Sequence, residues 1–134
     1  MNGLLLDTSA YSAYRHGHMG MREEVRDASA IYMSPIVLGE LQAGFRRGSK
    51  RAANQTDLRE FLSSPRVRVL PISEATAERY AEIRSYLANV GGPIPTNDIW
   101  IAASSMEHGI AVLTVDTHFQ RIPQILTVHH PRWP

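Results

Sequence analysis

The sequence predicts an α/β fold in which a parallel sheet is covered by helices on both faces. Short apolar segments alternate with longer amphipathic segments along the whole chain, the pattern of strands joined by crossover helices. The first apolar segment, residues 4–6, is continuous rather than alternating, as expected for a strand that is buried on both sides. The length of 134 residues suits one unit, so we expect residues 1–134 to form a single domain.

Cap residues mark the helix starts in the first half of the chain. Thr8 and Ser9 are good N-cap residues for a helix that follows the first strand. Ser34 followed by Pro35 predicts a helix that runs to about residue 47. The other elements predicted in this half are two helices and one strand, at residues 21–28, 51–62 and 31–33.

The second half repeats the same alternation. Ser73 is placed to cap a helix with one apolar stripe, formed by Ala77, Tyr80, Ile83 and Leu87. The segment 91–95, with two glycines and two prolines, ends that helix. A further helix is predicted from about residue 97 to residue 108, closed by Gly109 in the position of a left-handed cap. The predicted strands are residues 67–70, 111–114 and 125–128.

The composition excludes several classes of function. Without cysteine, the chain has no disulfide scaffold, thiolate zinc finger, iron–sulfur site or cysteine nucleophile. A formal net charge of +1 does not by itself indicate a polyanionic partner. The longest apolar stretches, such as residues 99–103 and 110–115, are far shorter than the roughly 20 residues of a membrane helix. The first residues lack the basic segment of an export signal, so we expect a cytoplasmic protein.

Three aspartates occupy equivalent positions in the predicted fold. Asp7 follows the first strand, Asp116 follows the fourth strand, and Asp98 lies in the first turn of the helix before the fourth strand. Ligands of open parallel sheets bind beyond the carboxyl ends of the strands, where helix N-termini also point. The alternative interpretation is that each aspartate separately stabilises a nearby helix N-terminus, by about 0.3–1 kcal/mol.

A fourth acid, Glu40, lies on the apolar face of its helix. Val37, Leu41, Gly44 and Phe45 define that face, and Glu40 follows Val37 by three residues. A buried carboxylate must be neutralised, paired with arginine or bound to a cation. Two carboxylates about 4 Å apart repel by roughly 4 kcal/mol at an effective dielectric constant of about 20, so a shared cluster requires a cation.

An oxygen-only ligand set favours Mg²⁺ or Mn²⁺ over Zn²⁺. Such a site can hold one or two metal ions. It would polarise a phosphoryl oxygen and generate hydroxide from a bound water, which is the chemistry of phosphodiester hydrolysis. If the acids instead act separately, as helix caps and surface ion pairs, no shared metal site exists.

Four segments of the chain together resemble the PIN-domain ribonucleases, and among them the VapC-type toxins of bacterial toxin–antitoxin pairs. In chain order, the segments are Asp7-Thr8-Ser9 after the first strand, residues 34–41 with Gly44, residues 95–103 and residues 113–119. The resemblance extends from residue 3 to about residue 128. It implies a three-layer PIN-like fold with a central parallel sheet in the order 3-2-1-4-5, and endonucleolytic cleavage of RNA with Mg²⁺ or Mn²⁺.

The resemblance also implies roles for individual residues. Asp7 and Asp98 would be the principal metal ligands, while Glu40 and Asp116 would complete the catalytic pocket and orient water. Three hydroxyl side chains would donate hydrogen bonds to the acids, those of Thr8, Ser9 and Thr114. The resemblance further implies a homodimer that is held inactive by a co-expressed antitoxin protein, which inserts a helix or an arginine into the active site.

Four basic residues follow the helix that carries Glu40, namely Arg46, Arg47, Lys50 and Arg51. They are candidates for binding RNA, since cations near the pocket would attract a phosphate backbone. They equally fit a solvated helix end, where cations complement the helix dipole. His118 follows the fourth acid closely, and we expect it to pack within its turn, with contact to a substrate phosphate as the alternative.

The residues leave three other functions open. The first is a PIN-like metal nuclease that acts on DNA or structured nucleic acid, because carboxylates and metal do not distinguish the sugars. The second is a receiver-like signalling domain, which also gathers acids at strand ends but normally needs a lysine after a late strand. The only lysine here is Lys50, far from that position. The third is a non-catalytic binding module, against which four intact acids argue.

Overall fold

A five-stranded parallel sheet forms the centre of the molecule. The computed structural model describes residues 3–133. The strands are β1 Gly3–Leu6, β2 Ala30–Met33, β3 Val67–Val69, β4 Ala111–Thr114 and β5 Thr127–His129. Their order is β3-β2-β1-β4-β5, and all neighbouring strands are parallel. The predicted fold class and strand order are confirmed.

In the described part of the chain, six α-helices and one 3₁₀ turn connect the strands. The helices are α1 Thr8–Arg15, α2 Met19–Asp27, α3 Pro35–Arg47, α4 Arg51–Ser63, α5 Glu74–Val90 and α6 Thr96–His108, and the 3₁₀ turn is His118–Arg121. Within residues 3–133, none of these helices has both the length and the apolar character needed to cross a membrane.

The strand β1 lies in the middle of the sheet and is buried on both sides. Leu5 pairs with Tyr32 of β2 on one side and with Val112 of β4 on the other. Leu5 and Leu6 have no exposed surface, which explains why this strand is continuously apolar in sequence. The chain leaves β1 toward β2 and later returns to β4 on the opposite side. The carboxyl ends of β1 and β4 therefore meet where the strand order reverses, the usual place for a ligand site.

The helix α1 begins differently from the prediction. Its N-cap is Asp7 rather than Thr8 or Ser9, because the Asp7 carboxylate accepts the N–H of Ala10 at 2.8 Å. Aspartate is as good an N-cap as serine. The acid that follows β1 therefore also fixes the first turn of α1.

One other helix and one strand begin two residues away from the predicted position. The helix α2 begins at Met19, two residues early, because the ring Nδ1 of His18 accepts the N–H of Met21 at 3.2 Å and acts as the N-cap. The last strand is Thr127–His129 rather than residues 125–128, because the turn that follows the 3₁₀ segment continues through residue 125.

The buried stripe of α5 includes Thr76 in place of the predicted Ala77, which is exposed. The Thr76 hydroxyl accepts the N–H of Ser73 at 3.0 Å and donates to the carboxylate of Glu107 on α6. A polar side chain is stable in this buried position because its hydrogen bonds are satisfied.

Candidate active site

The carboxyl ends of β1 and β4 open into a cavity of about 490 Å³ that is lined by all four predicted acids. Asp7 follows β1, Asp116 follows β4, Asp98 lies in the first turn of α6, and Glu40 lies on α3. Four separate elements thus bring together side chains that are far apart in sequence. The cavity is strongly acidic for that reason.

Asp7 is the most buried of these acids, with 3% of its surface exposed. Its Oδ1 accepts the hydroxyl of Ser9 at 2.8 Å and the N–H of Ala10 at 2.8 Å, and its Oδ2 accepts the hydroxyl of Thr114 at 2.7 Å. The pKa of Asp7 is raised from 3.8 to about 6. Burial is the largest cause, the hydrogen bonds oppose it, and the nearby charge of Asp98 adds a smaller increase.

Asp98 and Asp116 both contact the ring of His118. The ring Nδ1 of His118 lies 2.8 Å from Asp98 Oδ2 and 3.2 Å from Asp116 Oδ1. The N–H of His118 also donates to Asp116 Oδ1 at 3.0 Å, and the N–H of Asp116 donates to the Thr114 hydroxyl at 2.9 Å. Burial raises the pKa of Asp98, contact with His118 lowers it, and the charges of Asp116 and Glu40 raise it again.

Glu40 is held in place by two neighbours. Its Oε1 accepts the hydroxyl of Thr8, and its Oε2 accepts the side-chain amide of Asn97 at 3.1 Å. The side chain is half-buried and faces the cavity. Its carboxylate is thus oriented by one donor from α1 and one from α6.

The donor set fits a divalent cation. Asp98, Asp116 and His118 each offer one ligand atom, and these atoms lie within 4.8 Å of one another. Asp7 and Glu40 line the same cavity outside this group of three. Carboxylate oxygens suit Mg²⁺ or Mn²⁺, whereas imidazole is a ligand that later transition-metal ions prefer, so a site for Mg²⁺ would use the carboxylate oxygens. Burial is the main cause of the raised pKa values of Asp7 and Asp98, and the neighbouring carboxylates add to it, so a bound cation would offset an unfavourable ionisation.

The basic residues proposed for RNA binding lie apart from the acids. Arg46, Arg47, Lys50 and Arg51 are all exposed, where α3 ends and α4 begins. Among residues 3–133, the lining of the acidic cavity includes none of the four. Lys50 lines a second cavity of about 320 Å³, which shares Ser12 and His16 with the acidic cavity.

Four residues that line the cavity or hold its acids were not predicted from the sequence in these roles. The contact of His118 with two acids was not predicted, although its position two residues after Asp116 could have indicated it. Asn97, which holds Glu40, directly precedes Asp98. Arg132 and Trp133 also line the cavity, and no local pattern predicts this because their positions depend on the path of the chain after β5.

The chain is similar to a family of known proteins. The chain matches the PIN domain family over residues 4–125. It is 36% identical to ribonuclease VapC4 of Mycobacterium tuberculosis over 93 residues, which cover 69% of this chain and 72% of that protein. It is 33% identical to ribonuclease VapC1 of Rickettsia felis over 131 residues, which cover 94% of this chain and 96% of that protein.

A solved structure shares the whole fold. The crystal structure of VapBC2 from Rickettsia felis, bound to a DNA fragment from its promoter, contains a chain with a TM-score of 0.83 and 27% sequence identity. The match covers 96% of this chain and 98% of that chain. The chain described here therefore belongs to the PIN-domain family, in the group whose members are named VapC ribonucleases.

Proposed function

We propose that the chain is an endoribonuclease that uses Mg²⁺ or Mn²⁺ to hydrolyse phosphodiester bonds of RNA. The observation that carries this proposal is the convergence of Asp7, Glu40, Asp98 and Asp116 on one cavity. The names of the relatives, ribonucleases VapC4 and VapC1, support RNA as the substrate. The match to the PIN domain family over most of the chain supports a nuclease.

Asp7 and Asp98 are the proposed principal ligands of the cation, with Asp116 beside them. Asp7 is held by three donors and Asp98 by His118, so both carboxylates are oriented by the surrounding protein. A divalent cation held there would polarise a phosphoryl oxygen, lower the pKa of a water molecule and stabilise the leaving oxygen. Ser9 and Thr114 keep the Asp7 oxygens pointed at the cavity.

Glu40 is the proposed residue for orienting the attacking water. Each of its oxygens already accepts one hydrogen bond, from Thr8 and from Asn97, so its carboxylate plane is fixed. A carboxylate oxygen retains a second lone pair, which can accept a hydrogen bond from water. Asp116, held through Thr114 and His118, has the same capacity.

Cleavage of a mixed RNA pool tests this proposal. Wild-type protein with Mg²⁺ or Mn²⁺ should cleave the pool, and Asp98→Asn should reduce the rate at least about 100-fold, because it removes a ligand rather than a supporting residue. The matched control is Asp27→Asn, the same chemical change at an exposed position on α2. EDTA should abolish cleavage. Equal rates for wild type, Asp98→Asn and the EDTA sample would contradict the metal mechanism.

The choice between RNA and DNA is tested by competition. The structure of VapBC2 contains promoter DNA, so binding of DNA alone does not identify the substrate. We expect labelled RNA to be cut in the presence of an excess of DNA of the same sequence. Preferential cleavage of the DNA would instead support a nuclease of the same family with a different substrate.

We further propose that the chain is the toxin of a toxin–antitoxin pair, and that an antitoxin protein binds over the acidic cavity. A relative that is 35% identical over 91 residues, toxin FitB of Neisseria gonorrhoeae, is named as a toxin. A carboxylate cluster is a suitable partner for an inserted arginine, which can donate two parallel hydrogen bonds. Expression of the wild type should arrest growth of a bacterial host, and expression of Asp98→Asn should not. Rescue by the product of an adjacent gene would identify the antitoxin.

A further inference from the structure

The chain returns to the acidic cavity after β5 through a tail segment, residues 130–133. The N–H of His130 donates to the carbonyl of Thr114 at 3.1 Å, and its ring Nε2 lies 2.7 Å from the carboxylate of Glu24 on α2. Gly20 allows this approach, because a Cβ there would lie only 2.6 Å from His130 Nδ1. The tail segment is thus packed against both β4 and the beginning of α2.

His18 holds the next residue of the tail segment. It is 2% exposed, and its Nδ1 accepts the N–H of Met21. That hydrogen bond leaves the ring proton on Nε2, which donates to the carbonyl of Pro131 at 2.8 Å. The His18 ring is also stacked with the indole of Trp133, with centroids 6.5 Å apart and an angle of 21° between the planes.

These contacts place Arg132 and Trp133 on the lining of the cavity that contains Asp7 and Asp98. Trp133 is 67% exposed, which is unusual for the largest aromatic side chain. Within residues 3–133, the guanidinium of Arg132 has no ion pair or hydrogen bond. Both side chains are therefore available to a ligand that enters the cavity.

The charges of the cavity indicate what that ligand needs. Four carboxylates repel a phosphodiester, and among the described residues of the lining Arg132 is the only lysine or arginine. A fixed cation at the cavity would offset part of that repulsion. An exposed indole beside it offers a flat surface on which a nucleobase can stack, whatever its sequence.

We propose that the tail segment is part of the substrate site, where Trp133 stacks on an unpaired base near the scissile phosphate and Arg132 binds a neighbouring phosphate. This inference rests on the proposed ribonuclease function and specifies its substrate class. A base can stack on a protein side chain only when it is unstacked from its own strand, as in single-stranded or looped RNA. The substrate is therefore an unpaired segment rather than a continuous duplex.

The test measures binding and cleavage separately. For binding, the Asp98→Asn, Trp100→Phe double variant prevents cleavage and leaves Trp133 as the only tryptophan. Oligouridylate and oligoadenylate decamers should quench its fluorescence. A decamer with abasic positions, or a blunt RNA duplex, should bind about tenfold more weakly, within the range observed when base stacking on an aromatic residue is lost.

Substitutions then assign the effect to the tail segment. Adding Trp133→Ala to the Asp98→Asn background should remove the difference between ordinary and abasic decamers when binding is measured by anisotropy of labelled RNA. In the otherwise wild-type enzyme, Arg132→Gln should raise the KM for cleavage about tenfold and leave kcat nearly unchanged. The matched control is Leu126→Ala, which truncates a side chain that is 75% exposed and lies outside the cavity lining. A thermal melt of each variant confirms folding.

The outcomes separate this inference from the proposed function. If the Trp133→Ala variant still binds ordinary decamers more tightly than abasic ones, the inference is wrong even though wild type cleaves RNA. If Arg132→Gln instead increases kcat/KM, Arg132 obstructs the cavity and does not bind substrate, which also overturns it. If wild type fails to cleave RNA but the binding differences appear as expected, the ribonuclease proposal is wrong and the tail segment stands as an RNA-binding element.

Discussion

Two walls of the acidic cavity are built in different ways. The inner wall, formed by Asp7 at the end of β1, is buried, and its carboxylate is hydrogen-bonded to Thr114 at the end of β4. The outer wall, formed by Arg132 and Trp133, is exposed and is held by a few contacts to His18 and α2. Under the two proposals above, the buried wall would fix the reacting groups, and the exposed wall would contact the substrate.

The largest effect is expected from Asp7→Asn on the inner wall. Cleavage should fall at least about 100-fold, because a proposed metal ligand is lost. In EDTA at neutral pH the variant should be more stable than wild type, by on the order of 1 kcal/mol, because burial raises the pKa of Asp7 to about 6 and its ionised form is unfavourable in the folded state. A cleavage assay measures the first effect, and chemical denaturation with and without Mn²⁺ measures the second, since added metal should stabilise wild type only. Lower stability of Asp7→Asn in EDTA would contradict the conclusion that the ionised Asp7 carboxylate is unfavourable in the folded state.

Thr114→Val tests whether the inner wall depends on its hydroxyl network. The Thr114 hydroxyl donates to Asp7 and accepts the N–H of Asp116, so valine leaves two polar groups without this partner. We expect a loss of about 1–3 kcal/mol in the free energy of unfolding. Cleavage should fall about 10–100-fold. Thr114→Ser keeps the hydroxyl and should retain most of the activity, and equal losses for serine and valine would show that the methyl group matters instead.

Gly20→Ala tests the outer wall without changing any group in the cavity. Its methyl group would lie 2.6 Å from His130 Nδ1, so the His130 ring, which anchors the tail segment, must shift. We expect KM for RNA to rise several-fold while kcat changes little. Gly39→Ala on α3 is the matched control, because no atom lies within 4 Å of its Cβ position, and it should stabilise the protein by about 0.5–1 kcal/mol. A fall in kcat with unchanged KM would show that the tail segment affects the reacting groups rather than the binding of RNA.

The smallest effect is expected from Tyr11→Phe on α1, at a buried position. Tyr11 is 2% exposed, and its hydroxyl has no hydrogen-bond partner among the described residues. Phenylalanine should therefore change stability by less than about 1 kcal/mol at pH 7. Burial raises the pKa of Tyr11 from 10 to about 12, so ionisation favours the unfolded state and stability should fall as pH rises from about 10 to 12. Unfolding curves across that range should show a smaller loss for the variant.

The sequence predicts the inner wall well and the outer wall poorly. The strands that precede Asp7 and Asp116 are short apolar runs with clear ends, and each acid lies within two residues of its strand. Local pattern and topology were sufficient to bring those acids to one edge of the sheet. The position of Trp133 depends on the registry of the edge strand β5, on a histidine N-cap and on one glycine contact. None of these has a periodic signal, because each arises only when distant segments pack together.

One carboxylate both begins a helix and faces the cavity. Asp7 caps α1 through the N–H of Ala10, so most replacements would disturb the first turn together with the chemistry. Asparagine is the exception, since exchanging a single oxygen for an amide nitrogen keeps the capping geometry. The Asp7→Asn variant would keep the fold while losing the negative charge at residue 7. It could hold an intact RNA molecule long enough for the natural target to be isolated and sequenced.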